Sequence, residues 1–240
     1  MVLTVKKSSS RGHADNTWLH TKYSFSFANY FNKQNMLFGC LRVLNEDKVS
    51  GFKGFDLHPH ENMEIFTYVL SGKLEHKDSL DHGAIIGYGD VQYMSAGSGI
   101  LHAEKNPKEG EVHLLQIWIL PKVLNTKPEY NNKFYSVAEK TGKLLLIASP
   151  NAKEDSLPIK QDAEIYASIL QEKHSIEYTF TFERKIYIHV ATGSIHVNEL
   201  ELIVGDAVAI ENETTITLKG SKEGGEFLLF NMAEYKKPTA

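Results

Sequence analysis

The chain uses one device twice. Ile65-Phe-Thr-Tyr-Val-Leu-Ser-Gly72-Lys-Leu-Glu-His76 runs as an apolar strand, a glycine turn and a returning strand, and Ile186-Tyr-Ile-His-Val-Ala-Thr-Gly193-Ser-Ile-His-Val197 repeats that order. Each copy is followed by a Gly-Asp pair that opens another strand, Gly89-Asp-Val-Gln-Tyr-Met94 and Gly205-Asp-Ala-Val-Ala-Ile210. A hairpin-based unit of roughly a hundred residues, used twice, predicts two related β domains. Pro, Asn and Lys collect between Pro121 and Lys133, which sets the expected division at 1–133 and 134–240.

The remaining pattern agrees. Short β-rich runs bounded by Gly, Asn, Asp and Pro recur at Glu64–Leu70, Val91–Met94, Val112–Leu120, Leu144–Ala148, Tyr178–Phe182, Lys185–Ala191, Thr214–Leu218 and Glu226–Phe230. That spacing reads as antiparallel sandwiches or barrels, so the class is all-β. Long apolar runs of helical period are missing, with one short helix expected within Asn132–Lys140.

Twenty-six basic against thirty acidic residues give a formal charge of -4, the wrong sign for a broad nucleic-acid footprint. The longest apolar segments, such as Leu114–Leu120, are far too short to span a bilayer, and the start carries no signal-like stretch. Cys40 stands alone and cannot close an internal disulfide. The expected location is cytoplasmic, with Cys40 as a small buried hydrophobe and the Lys6–Arg11 stretch as a solvated terminus.

Histidine is uneven: eight of eleven lie before residue 120. In Phe55-Asp-Leu-His58-Pro-His60-Glu-Asn-Met-Glu64 the two histidines are two apart, so on an extended chain both rings share a face, and Glu64 has the same parity. In Gly97-Ser-Gly99-Ile-Leu-His102-Ala-Glu104-Lys-Asn106, His102 and Glu104 repeat the arrangement. Three imidazoles and a carboxylate suit a borderline divalent ion and leave coordination positions open, as a catalytic site requires. A lone His-x-His pair is weak, expected by chance about 0.5 times in a chain of this composition. The weight comes from the Glu64 offset, the hairpin between the motifs and the glycine-rich approach to His102.

Taken together, His58-Pro-His60-x-x-x-Glu64, Gly89-Asp and Gly97-x-Gly99-Ile-Leu-His102-x-Glu104-x-Asn106 resemble the two cupin motifs of the pirin family. Arg11-Gly-His-Ala, Tyr23-Ser-Phe-Ser-Phe-Ala-Asn-Tyr30 and Leu114-Leu-Gln-Ile-Trp118 are similar to further pirin motifs. The resemblance implies two cupin barrels (double-stranded β-helix, or jelly-roll) in tandem, of which only the first carries a metal. It implies His58, His60, His102 and Glu104 as ligands of one divalent ion, iron(II) foremost, with copper, nickel, manganese and zinc able to accept the same set. Glu64 is not among the pirin ligands but corresponds to a ligand in other cupins, so it is expected beside the ion or one shell out.

Transferring the offsets from Gly72 and Gly89 to Gly193 and Gly205 puts Thr179, Thr181, Leu218 and Gly220 where the first half has its ligands. None of these is a useful ligand, so the second barrel reads as scaffold. His113 is expected to be core-facing or pocket-lining, and His13, His20, His76, His82, His174, His189 and His196 to be surface or capping residues. Phe66 and Tyr68 share Glu64's parity and are expected as core that borders the pocket.

The activity implied by the resemblance is that of bacterial pirin-like quercetin 2,3-dioxygenases, oxidoreductases that open a flavonol with O₂ and release carbon monoxide. The partners would be a small aromatic substrate and O₂, with no nucleic acid, no membrane and a monomeric chain, and Glu104 or Glu64 would accept the substrate's proton. The alternative is a non-enzymatic iron-binding redox sensor acting through a protein partner. A cupin isomerase or sugar binder would instead require polar pocket walls.

Overall fold

The computed structural model describes residues 2–238. The chain forms two compact β units, one of Gly12–Phe134 with the tail from Lys236, the other of Tyr135–Tyr235 together with the residues up to Arg11. The strands of the first unit are β2 (Gly12–Asp15), β3 (Leu19–Tyr23), β4 (Leu41–Val49), β5 (Gly54–His60), β6 (Glu64–Ser71), β7 (Lys73–Asp78), β8 (Gly83–Gly87), β9 (Asp90–Ser95), β10 (Ile100–Lys105), β11 (Val112–Ile119) and β12 (Glu129–Phe134), numbered after β1 (Val2–Lys6). They make a seven-stranded sheet in the order β12-β9-β6-β11-β4-β3-β2 and a four-stranded sheet in the order β5-β10-β7-β8.

Strand β1 does not join this unit. It pairs antiparallel with β19 (Ala207–Glu211) of the second, and Lys7 and the Ser8 amide bond the Asp206 carboxylate. The start of the chain is therefore a docked strand and not a solvated tail. Residues expected as helix within Asn132–Lys140 divide between the end of β12 and a single turn, α1 (Val137–Lys140), opened by a Ser136/Glu139 capping box.

Period-two alternation builds the interior of the first unit in layers. Along β6 the inward residues are Ile65, Thr67 and Val69. Ile65 packs with Met94, Ala96 and Ile100, and Val69 packs with Val49, Leu74, Ile86, Val112 and Leu114. Between these apolar layers runs a polar row that crosses the seven-stranded sheet in register: Tyr23 opposite Asn45, Asn45 opposite Gln116, Gln116 opposite Thr67, Thr67 opposite Gln92. A buried polar row must find partners, and here it faces the strands that carry the histidines.

In the second unit β13 (Leu145–Ser149), β14 (Leu157–Pro158), β15 (Ala163–Leu170), β16 (Ser175–Thr179), β17 (Lys185–Val197), β18 (Leu200–Ile203), β19 and β20 (Thr215–Met232) form one nine-stranded sheet with β1, in the order β1-β19-β17-β20-β15-β13-β14, β16 and β18 pairing with β20 and β17. The duplicated glycines serve the same need in both units. Gly72 and Gly193 have φ of +79° and +63°, and a Cβ would fall 2.6 Å from Glu111 O and 2.0 Å from Gly224 O respectively. Among the described residues no helix is long and apolar enough to cross a membrane.

Candidate metal centre

Strands β5 and β10 pair antiparallel with His58 opposite His102 and His60 opposite Ile100. This register brings three imidazoles together, with ring centroids 4.4 Å apart for His58 and His102 and 4.8 Å for the other two pairs. The ligand atoms of His58, His60 and His102 all lie within 4.8 Å of one another.

The local bonds select the nitrogens. His58 Nδ1 lies 2.7 Å from the Asp56 carbonyl, which fixes a donating Nδ1–H and leaves Nε2 for a metal. His102 Nε2 is buried with no hydrogen-bond partner. Burial, reinforced by neighbouring His58, pushes His60 down to about 4, and burial likewise brings His102 to about 4, so both rings are neutral at physiological pH. Clustered neutral imidazoles, one with an orphaned nitrogen, fit a borderline divalent cation.

Glu104 lies on the same strand but in a different grouping, with His102 and His76. Its Oε1 accepts from Gln92 Nε2 at 2.8 Å and from Thr67 Oγ1 at 3.2 Å, and its Oε2 from Gln116 Nε2 at 2.9 Å, so the polar row of the seven-stranded sheet clamps both oxygens. Burial alone would raise this carboxyl, yet contacts from His76, His102 and Gln92 hold it at about 2.

Glu64 is not in the site. It is 1 % exposed, and its two oxygens accept from Tyr93 Oη at 2.5 Å and Ser95 Oγ at 2.7 Å. Parity from His60 does not carry across Glu61-Asn62-Met63, because Asn62 adopts φ +49° and β5 and β6 enter different sheets. The same break sends Phe66 and Tyr68 to the face away from the pocket, where Phe66 packs on Tyr93 with centroids 4.9 Å apart. Ile65 takes the pocket-facing position instead.

His76 is the residue that sequence reasoning missed. Expected on the surface, it is fully buried, stacked on Tyr130 at 4.6 Å, and its Nδ1 lies 3.5 Å from His102 Nδ1 and 3.9 Å from Glu104 Oε1. Leu74, His76 and Asp78 alternate with the exposed Lys73 and Lys77, and that alternation was the available signal. Gln92 and Gln116 had a signal too, each a single polar residue in an otherwise apolar strand run. His189 is also buried, contrary to its expected surface position. His113 is half-buried and bonds Glu46 at 3.0 Å.

A pocket of about 490 Å³ of empty space, part of it open to solvent, lies between the two sheets with His58, His60, His102 and Glu104 on one wall. Apolar side chains dominate elsewhere: Leu19, Tyr23, Phe27, Phe55, Ile65 and Trp118. Trp118 stands in T-shaped contact with His60 at 4.8 Å and with Phe27 at 5.3 Å between ring centroids.

Among the described residues the second unit has no such cluster. Val197 pairs with Leu218 as His76 pairs with Glu104, which shifts the equivalences by two residues from those given by sequence offsets. Opposite one another where His58 faces His102 stand Tyr178 and Ile216. Tyr178, Phe180, Ile216 and Leu218 all belong to the apolar core of that unit.

Residues 4–119 match the family model described as Pirin, and residues 146–232 match the quercetinase C-terminal cupin domain. A quercetin 2,3-dioxygenase of Escherichia coli K12 is 38% identical over 233 residues, 96% of this chain and 99% of that protein. A pirin-like protein of Caulobacter vibrioides is 38% identical over 223 residues, 92% of this chain and 96% of its own length. The crystal structure of the bacterial pirin YhhW of Escherichia coli in complex with nickel(II) superposes with a TM-score of 0.92 at 36% identity, covering 98% of this chain and all of that one.

Proposed function

The chain belongs to the pirin family, and from that premise we propose that it is a metal-dependent dioxygenase which opens a flavonol of the quercetin type with O₂. The observation that carries this reading is the convergence of His58, His60 and the orphaned His102 Nε2 on one wall of a pocket whose other walls are largely apolar. We assign the three imidazoles and Glu104 as the ligand set, and nickel in the Escherichia coli pirin supports a divalent ion there. A flavonol is a small planar aromatic, and the pocket sets aromatic and aliphatic side chains beside a few polar groups, as small-molecule sites do.

When bound, the ion supplies Lewis acidity that lowers the pKa of a hydroxyl presented to it. The protein's part is positional and electrostatic. Glu104, kept ionised by His76, His102 and Gln92 and held in place by Thr67 and Gln116, contributes negative charge at a fixed point. A carboxylate held at about 2 is poorly matched to take a proton near neutrality, so its role is that of a ligand and not of a base. Glu64, bonded to Tyr93 and Ser95 on the far face, lies outside the pocket lining. Trp118, Phe27 and Phe55 exclude water and offer faces for an aromatic ring to pack on. Both atoms of O₂ enter the ring-opened ester and carbon monoxide leaves, with electrons drawn from the substrate, so no nicotinamide or flavin is required.

The test is oxygen uptake together with loss of flavonol absorbance, using Fe(II)-loaded protein beside His60→Ala. Turnover that disappears in the variant is the expected result. A parent that holds metal yet is inert toward the flavonol overturns the enzyme reading and replaces it with that of a metal-dependent binding protein.

A further inference from the structure

Partnerless polar atoms gather on one pocket. Among the described residues, the buried side-chain atoms without a hydrogen-bond partner include Thr21 Oγ1, Asn45 Oδ1, Trp118 Nε1 and His102 Nε2, and all four residues line the pocket described above. A metal answers His102. It does not answer the other three, which stand on the seven-stranded sheet, across the pocket from the histidine strands.

An unmet buried polar group is costly, so a native fold that keeps several around one cavity is arranged for a ligand. Thr21 and Asp47 are a cross-strand pair, and Tyr23 and Asn45 are the next, so these side chains form a compact patch on β3 and β4. Thr21, Asn45 and Asp47 are all at most 4 % exposed. The Thr21 hydroxyl lies near that of Tyr23 without closing a well-formed bond. Asn45 offers a carbonyl oxygen, Asp47 a carboxylate and Thr21 an oxygen that can accept. The patch is thus rich in acceptors and calls for a ligand that brings donors.

We infer that Thr21, Asn45 and Asp47 form a subsite that reads phenolic hydroxyls on the part of the substrate remote from the metal. The inference rests on the dioxygenase reading for the identity of the whole substrate, and it narrows that substrate to aromatics hydroxylated at both ends. Trp118, beside His60, would lie between the two ends and present its unpaired Nε1–H to an oxygen of the ligand. A substrate lacking the remote hydroxyls would bury Asn45 Oδ1 and Thr21 Oγ1 without giving them a partner, and would be rejected on that account.

The test separates the subsite from the reaction. Nickel-loaded protein is titrated calorimetrically with 1,3-dihydroxybenzene, which cannot chelate a metal through both oxygens, and with toluene. The parent is expected to prefer the dihydroxylated ring. Asn45→Leu is expected to weaken that ligand about ten-fold while toluene holds or gains, and the near-isosteric Thr21→Val about three-fold. Thr21→Val carries the test should Asn45→Leu fail to fold. No preference in the parent, or the same preference in parent and variants, overturns the subsite. Flavonol oxidation is measured on the same samples with Fe(II). Hydroxyl preference without turnover keeps the subsite and removes the dioxygenase reading, and turnover with equal affinity for both rings does the reverse.

Discussion

His102 and His76 face one another through their Nδ1 atoms at 3.5 Å, while His102 Nε2 is buried without a hydrogen-bond partner, in a ring that clusters with His58 and His60. The relationship extends outward. His76 Nε2 lies 3.5 Å from Asp78 Oδ2, and Asp78 also takes the Leu80 and His82 amides and His82 Nδ1. Burial would raise the Asp78 carboxyl, but those donors hold it below its ordinary value. A chain of carboxylate, imidazole and imidazole thus fixes which nitrogen of His102 is offered to a metal.

The first prediction follows. His76→Phe keeps a ring against Tyr130 but deletes both nitrogens, so His102 loses its orienting neighbour. Metal affinity is expected to fall by about 10–100-fold, and the thermal midpoint of the metal-free protein should fall too, because the buried Glu104 and Asp78 carboxylates each lose a polar neighbour. Competition against a chromophoric chelator measures it, and an unchanged affinity would remove His76 from the metal's support.

Gln116→Leu tests the clamp on Glu104. The carboxylate would stay buried with one fewer donor, which costs about 1–3 kcal/mol. Urea unfolding of the metal-free protein should show a lower midpoint without a changed slope. Added divalent metal is expected to restore part of the loss, since an ion at Glu104 answers the charge. A variant as stable as the parent would mean that the amide is dispensable.

How much of this was legible beforehand depended on range. The repeated hairpin at Gly72 and Gly193, the all-β class and the three histidines rest on patterns within about ten residues, where alternation and turn chemistry act. Glu64 was misplaced because one left-handed residue, Asn62, ends β5 and lets the chain change sheets, and no periodicity survives such a break. His76 was hidden by its charged neighbours, although its alternation with Lys73 and Lys77 was readable. Strand β1 could not be foreseen from local pattern, because its partner β19 lies some two hundred residues away and no turn joins them. The tandem glycine offsets identified the chemistry of the second unit but slipped in register, because β17 and β20 run on as long bent strands where the first unit breaks into pairs.

The pH dependence has a definite sign. His60 and His102 each stand at about 4 when folded and metal-free against an ordinary 6.5, chiefly through burial. Between those values the unfolded chain binds more protons than the folded one, so stability rises with pH across that window and is lost as pH falls from 6.5 toward 4. Unfolding midpoints of metal-free protein should therefore be lower at pH 4.5 than at pH 7. His60→Gln, which removes one titrating ring, should narrow the difference. An equal difference in parent and variant would mean that other groups govern the acid limb.

The second unit carries its own buried charge, and it yields the sharpest stability test. Lys140, at the end of α1, is fully buried and bonds Glu226 of β20 at 2.6 Å, with Glu226 only 4 % exposed. Two charges removed from water gain little over a well-packed apolar pair, yet either one left alone is strongly penalised. Lys140→Met is thus expected to cost about 3–5 kcal/mol, and Glu226→Gln somewhat less because the amide still accepts from the ammonium. The double variant Lys140→Met/Glu226→Leu should recover much of the loss, since neither charge remains to be solvated. Chemical denaturation of the parent, Lys140→Met, Glu226→Leu and the double variant closes the cycle and gives the coupling. Additive losses would show that the pair is not an energetic unit, whereas recovery in the double variant would assign the cost to the abandoned charge and not to the missing contact. Metal affinity should be the same in all variants that fold, because the residues assigned to the ion belong to the other unit.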